Sequence, residues 1–438
     1  MFKQFLIIPI LLFLSGMVFS QLPNWVEQTT GTTQTLTSAH SNSLNPFPGS
    51  YVWACGYGGT VLRSTNDGTN WQNTAGNGIP TTTQLINIAA LDANTAVTAG
   101  YVGSNTFVYR TSNAGANWTQ VFTETNGFIN AICFMDNSLT GFMMGDPVGG
   151  RWSLWKTTNG GINWDSTGMY LPQAGSEAGW NNGIYCLGNR IWFGTNNTKL
   201  YYSTNFGNSW TAQPTTGSLN SYAVYFNRLS GGSEGLIGGS DMYRTSNYGA
   251  NWFLQPSAGS GNFGGITGGI DVITDALTFL YTFAVRGTTA IYASTNDGTN
   301  WFTHYTASAG TYRYIGKNFL NNKFWGVRTN GAISYLHIPI SGVNPVGSES
   351  PENYSLYQNY PNPFNPDTKI KFQIIKTGNV RLTVYDRLGR EVASLVNEIL
   401  QPGVYETDFD ASGYASGMYF YRILAEGYSE TKSMILIK

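Results

Sequence analysis

Two short stretches hold the side chains best suited to gripping a ligand. Asp146 and Arg151 bound "DPVGGR" at 146–151, and Glu177 and Trp180 lie in "YLPQAGSEAGW" at 170–180. An acid and a guanidinium beside the rings of Tyr170 and Trp180 suit a carbohydrate or a peptide. The plainer alternative makes Trp180 a core ring and leaves Glu177 solvated. The same acids raise hydrolysis, since cleaving a glycosidic bond takes two carboxyl groups roughly 5–10 Å apart. Asp146, Glu177 and Asp271 are the acids to inspect for it. Arg151, Arg190, Arg228, Arg286, Arg313 and Arg328 are scattered, and nothing in their spacing brings them together. His40, His304 and His337 are isolated, so no metal site and no cofactor is expected. Cys55, Cys133 and Cys186 sit in apolar runs at irregular spacing and read as small buried hydrophobes rather than a disulfide framework.

The elements that position these residues follow from a repeat. "STNDGTNW" occurs at 64–71 and again, letter for letter, at 294–301, with four near-copies ending at Trp118, Trp164, Trp210 and Trp252. The closing tryptophans are 47, 46, 46, 42 and 49 residues apart, a period that marks a repeat architecture. Each unit reads as four short strands. In the third, "FINAICF", "TGFMMG" and "RWSLWKT" alternate or run apolar, and "NWDS" begins a fourth. Four strands per repeat describe a β-propeller blade. Asn24-Trp25 looks like the end of an octapeptide whose start is missing, one period before Trp71. Counting from Trp25 gives seven units, and the last has strands near 312–315, 323–327 and 332–336 but no octapeptide and no closing tryptophan. The expectation is seven blades, with the N-terminal strand completing the last and removing the open edge.

The octapeptide itself reads as scaffold. Ser or Thr at its first position and Asn at its third accept main-chain hydrogen bonds in turns. Its glycine, at Gly68, Gly115, Gly161, Gly207, Gly249 and Gly298, marks a residue of positive φ. Asp67 and Asp297 share a slot with Ala114, Gly160, Phe206 and Tyr248, which excludes acid–base chemistry there. Arg63, Arg110 and Arg244 precede octapeptides and are repeat positions.

Six copies of [ST]-x-N-x-G-x-[NS]-W resemble the Asp-box, or BNR, repeat. Asn66, Asn113, Asn159, Asn205, Asn247 and Asn296 stand where that family usually has Asp. Trp71, Trp118, Trp164, Trp210, Trp252 and Trp301 close the boxes. The pattern over 21–344 most resembles photosystem II stability/assembly-factor-like propellers. Sialidases share the box but usually carry Phe-Arg-Ile-Pro near their start, a string absent here.

Composition changes near residue 345. From 21 to 344 there are 13 acidic and 13 basic residues, and from 345 to 438 there are 11 and 9 in less than a third of the length. A neutral first domain offers no footprint for nucleic acid. After a polar linker at 345–352, alternating runs such as "KIKFQI" and "VRLTVY", with a turn at "DRLGR", give an immunoglobulin-like antiparallel β-sandwich over 353–438. "YQNYPNPFNP" at 357–366, "VYD" at 384–386, "ASGMYFYR" at 415–422 and the lysine-ended 432–438 resemble the type A sorting domain of the type IX secretion system. That resemblance implies the secretion machinery as a partner, a bacterium of the Bacteroidota or a close relative, and a destination outside the outer membrane. Residues 1–20, with Lys3 before an apolar run and Ser20 before Gln21, read as a Sec signal too short to span a bilayer. No other stretch reads as a transmembrane segment in the mature chain. The functional expectation is an extracellular binding module for a glycan or protein. A sialidase-like hydrolase and a structural surface protein are the alternatives.

Overall fold

The computed structural model describes residues 24–438 except 42–50, 136–138, 216–219, 229, 258, 275–276, 319–321, 339–343, 346–350, 377 and 401. The signal-sequence expectation for 1–20 lies outside the described residues, as does most of the expected linker. The described elements are all strands, so no helix is long and apolar enough to cross a membrane.

Among the described residues, seven antiparallel sheets follow one another along 26–337. Blade 1 is Leu36–His40, Val52–Gly56, Val61–Ser64 and Gln72–Asn73; blade 2 is Gln84–Ala90, Ala96–Val102, Asn105–Thr111 and Thr119–Thr125. Blade 4 runs from Gly179–Leu187 to Thr211–Pro214, blade 5 from Ala223–Phe226 to Phe253–Gln255, and blade 6 from Gly265–Thr274 to Phe302–Thr306. The first strand of each blade touches the first strand of the next, and the seventh touches the first, so these strands line a closed axis. Blade 7 contains Tyr312–Asn318, Lys323–Arg328 and Ile333–His337, and its fourth strand is Val26–Gln28. Val26 pairs with Tyr335, Glu27 with Ser334 and Gln28 with Ile333. The propeller is closed by its N-terminal strand.

Blade 3 departs from the expectation of four strands. It has Ile129–Phe134, Gly141–Val148 and Arg151–Thr157 as a ladder, with only the bridges Lys156–Asp165 and Arg151–Pro172 on the outer edge. Eight residues, 165–172, oppose six, 151–156. The excess leaves as a turn closed by Met169 N–H donating to Ser166 O, and the surplus residues break the pairing.

Bulges recur on the axis. Register slips in the first strands of blades 1, 2, 3, 6 and 7, between Leu36 and Ser38, Leu85 and Asn87, Ile129 and Ala131, Gly268 and Ile270, and Tyr312 and Tyr314. In blade 4 the excursion takes in residues 180–183. It carries Asn182, at φ 61°, to the far side of the ring. Asn87 Nδ2 of blade 2 donates to Asn182 Oδ1 at 2.5 Å, and Asn182 Nδ2 lies 3.3 Å from both Thr37 O of blade 1 and Ile86 O of blade 2.

The C-terminal residues form two four-stranded sheets. Ile370, Phe372 and Ile374 of one pack with Leu382, Tyr421 and Ile423 of the other in one core, the face-to-face packing of a sandwich. Asp386–Arg390 closes a hairpin through Asp386 N–H to Arg390 O at 2.9 Å. Asn344 and Pro345 pair with Glu406 and Tyr405, so they edge this sandwich.

Candidate functional site

The octapeptides show how the repeat positions everything else. In each of the six, the first-position hydroxyl donates to the third-position Asn Oδ1 and accepts from the fifth-position Gly N–H. The Asn Oδ1 also accepts from the seventh-position N–H. The glycines have φ between 79° and 88°, and the residue before each is left-handed too. Each turn presses on the preceding blade. A Cβ on Gly161 would come within 2.9 Å of Val97 of blade 2, so glycine also permits close approach. The tryptophans fill the seams, as where Trp118 packs edge-on against Trp53 of blade 1 and Trp210 meets Phe142 of blade 3. Asp67 and Asp297 are seam ion pairs: Lys323 of blade 7 reaches Asp67 at 2.6 Å, and Arg244 of blade 5 reaches Asp297 at 2.7 Å. The octapeptide face is thus occupied by turn and seam bonds.

The opposite face carries the four residues singled out from the sequence, spread over three consecutive seams. Asp146 and Glu177 stand at the seam of blades 3 and 4. Asp146 Oδ1 accepts from Asn130 Nδ2 and Gly179 N–H, both at 2.7 Å. Burial raises its pKa against those two bonds. Glu177 is 2% exposed. It pairs with Lys199 at 2.6 Å and accepts from Tyr201 OH at 2.9 Å, Trp152 Nε1 at 3.3 Å and Ala174 N–H at 3.2 Å. Burial pushes its carboxyl upward, but the bonds from Lys199, Tyr201 and Ala174 outweigh that and hold it below the usual value. It folds the 170–180 loop onto blade 4. Arg151 is exposed one seam back, at blades 2 and 3.

Trp180 stands at the seam of blades 4 and 5. Its ring meets Tyr222 at 4.0 Å between centroids with a 43° tilt. Tyr222 OH accepts from Asn262 Nδ2 at 3.0 Å. Both rings are half-buried, Asn181 beside them is exposed, and the Trp180 indole N–H is buried with no partner among the described residues.

Residues 358–438 match the secretion system C-terminal sorting domain. A tail of that family marks a secreted or cell-surface protein. About three quarters of the chain is similar to solved propellers. One is YCF48 bound to D1 peptide, with a TM-score of 0.55 at 14% identity over 72% of this chain and 97% of that one. Another is YCF48 from Cyanidioschyzon merolae, at 0.54 and 15% over 72% and 99%. Raptor from Chaetomium thermophilum scores 0.50 at 10% identity over 72% of this chain, which spans 29% of that larger one. At such identities the likeness is one of fold. None of the curated proteins matches the sequence.

Two features escaped the sequence. Cys133 and Cys186 form a disulfide between the first strands of blades 3 and 4, with Cα atoms 6.3 Å apart. The expectation of three unpaired buried thiols is corrected for these two, while Cys55 stays free and buried. Both lie on axis-lining strands of neighbouring units, so the 53-residue separation hides their proximity. Tyr222 and Asn262 were missed because neither belongs to a repeated motif; Tyr222 meets Trp180, and Asn262 meets Tyr222, only through the ring geometry.

Proposed function

We propose that this is a secreted or cell-surface propeller that binds a glycan or a protein segment on the face opposite its octapeptides, exported through its sorting domain. The observation that carries the reading is the Trp180–Tyr222 pair. Two half-buried rings beside the amides of Asn181 and Asn262 present apolar surface next to hydrogen-bonding groups. That combination suits sugar rings and extended peptides. Arg151 offers a charge on the same face. Asp146 and Glu177 serve this site by positioning it, since Gly179 and the 170–180 loop hang on their bonds. One of the similar propellers, YCF48, is bound to D1 peptide, so extended peptides belong in the screen with glycans.

The test is an array of glycans, sialosides included, and peptides against the full chain, read for binding and for loss of terminal sugar. Capture weakened about tenfold or more in Trp180→Ala and Tyr222→Ala, with folding retained, supports the reading. Binding untouched by both substitutions overturns the assignment of the face. Release of terminal sugar would replace it with the hydrolase reading.

A further inference from the structure

We propose that the interrupted outer edge of blade 3 is a second, separate binding site, for a small amino acid held as its zwitterion. It does not rest on the Trp180–Tyr222 reading. Trp152 N–H donates outward to Leu171 O and Lys156 N–H to Asp165 O, both at 2.9 Å. By the alternation of a strand, Leu154 between them also points its N–H and C=O outward, and among the described residues nothing meets them. The turn at Ser166–Met169 has lifted the opposing chain away.

A cavity of about 70 Å³ opens at this gap, with Glu124, Arg151, Ser153, Leu154, Trp155 and Met169 in its lining. Glu124 comes from the outer strand of blade 2. Its Oε2 accepts from Ser153 Oγ at 2.6 Å, and Trp155 Nε1 donates to the same Ser153 oxygen at 2.9 Å. The Glu124 Oε1 has no protein donor among the described residues. Among the described residues Arg151 forms no ion pair, yet its charge is near enough to act on Glu124, whose pKa burial raises against the opposing effects of the Ser153 bond and Arg151.

The cavity therefore presents an anionic acceptor, a cationic donor, one main-chain amide and apolar walls. A lone carboxylate would be attracted by Arg151 but opposed by Glu124, and a lone amine the reverse. An α-amino acid answers both, with its ammonium on Glu124 and its carboxylate on Arg151. The volume, well below the ~300 Å³ of a drug-sized pocket, limits the side chain to that of glycine, alanine or serine.

Calorimetric titration of the full chain with glycine and L-alanine, beside acetate, methylamine and L-phenylalanine, tests this. Glycine and alanine are expected to bind, the other three at least about tenfold more weakly. Glu124→Gln and Arg151→Gln should each weaken glycine about ten- to a hundredfold, the loss of one charged hydrogen bond, without changing the melting temperature by more than a few degrees. No heat from any small amino acid up to about 10 mM overturns the site. So does acetate or methylamine matching glycine, or both variants binding as the parent does.

Discussion

Gln28 Nε2 donates to the main-chain oxygen of Asp67 at 2.7 Å, joining the fourth strand of the last blade to the octapeptide of the first. Gln213 makes the same bond to Tyr248 at 2.8 Å between blades 4 and 5. Tryptophans repeat the equivalence: Trp325 Nε1 reaches Asp67 O at 3.3 Å and Trp192 Nε1 reaches Tyr248 O at 3.1 Å. The closing seam is thus built from the contact that an internal seam uses, although one of its strands is some three hundred residues from its neighbours.

Closure has an electrostatic lock. Arg328, buried in blade 7, pairs with Glu27, which also accepts from Tyr305 OH at 2.6 Å and Ser334 Oγ at 2.9 Å. Glu27→Ala strands a buried guanidinium. Because Glu27 is itself partly exposed, the expected loss lies at the low end of the ~3–5 kcal/mol for breaking a buried pair. Deleting 22–30 should lower the denaturation midpoint of the whole ring. An unchanged urea midpoint in the deletion would contradict closure by this strand.

The third position of the octapeptide needs an acceptor, not an amide. Asn113→Asp keeps the oxygen that Thr111 and Asn117 use and should shift stability by less than about 0.5 kcal/mol, within the usual range for surface changes. Asn113→Ala should cost about 0.5–2 kcal/mol, as loss of a capping side chain does. Trp118→Ala should cost about 3–5 kcal/mol through the cavity it leaves. Equilibrium denaturation of the three variants orders them.

Acid should weaken the propeller. Burial holds His40 at about 4 and His337 at about 3, the latter beside Lys323, and it lowers His304 as well. His40 Nδ1 accepts from Ala90 N–H and His304 Nδ1 from Trp25 Nε1, bonds that a proton would remove. Unfolded histidine titrates near 6.5, above these folded values, so the unfolded chain takes up protons first. The stabilisation is complete above about pH 6.5 and is lost as pH falls toward 4, at up to about 1.4 kcal/mol per pH unit for each histidine. Melting temperatures at pH 7.5 and pH 5.0 should differ in that direction, and less so in His40→Gln if that variant folds.

Cys133–Cys186 ties two neighbouring first strands. Cys186→Ser should lower stability by about 2–4 kcal/mol, and mass spectrometry of the untreated chain should find one bridge and one free thiol at Cys55. A midpoint unaffected by reductant would contradict the bridge.

The ring was legible because its octapeptides are locally determined. Hydroxyl, asparagine and glycine at fixed offsets make the same turn six times whatever surrounds them, and Trp25 betrayed the closing strand by its distance from Trp71. The proposed binding face was not, because its geometry arises between units. Asp146, Arg151, Glu177 and Trp180 do lie on one side, but they divide among three seams. Glu177 found Lys199 and Tyr201 from the next blade, partners that no local pattern links to it. The fourth strand of blade 3 failed for a similar reason: "NWDS" starts correctly at Asp165, and the two surplus residues before Pro172 show only when set against the length of Arg151–Thr157.

Arrays of repeats held only by nearest-neighbour contacts gain or lose a unit without upsetting the rest, and their stability sums unit by unit. Asn182 denies this ring that freedom. By reaching from blade 4 to blades 1 and 2 it ties together repeats that are not adjacent, as a spoke would. A duplicated or deleted blade would move its acceptors out of reach, so any change in the number of repeats would forfeit these bonds at the hub.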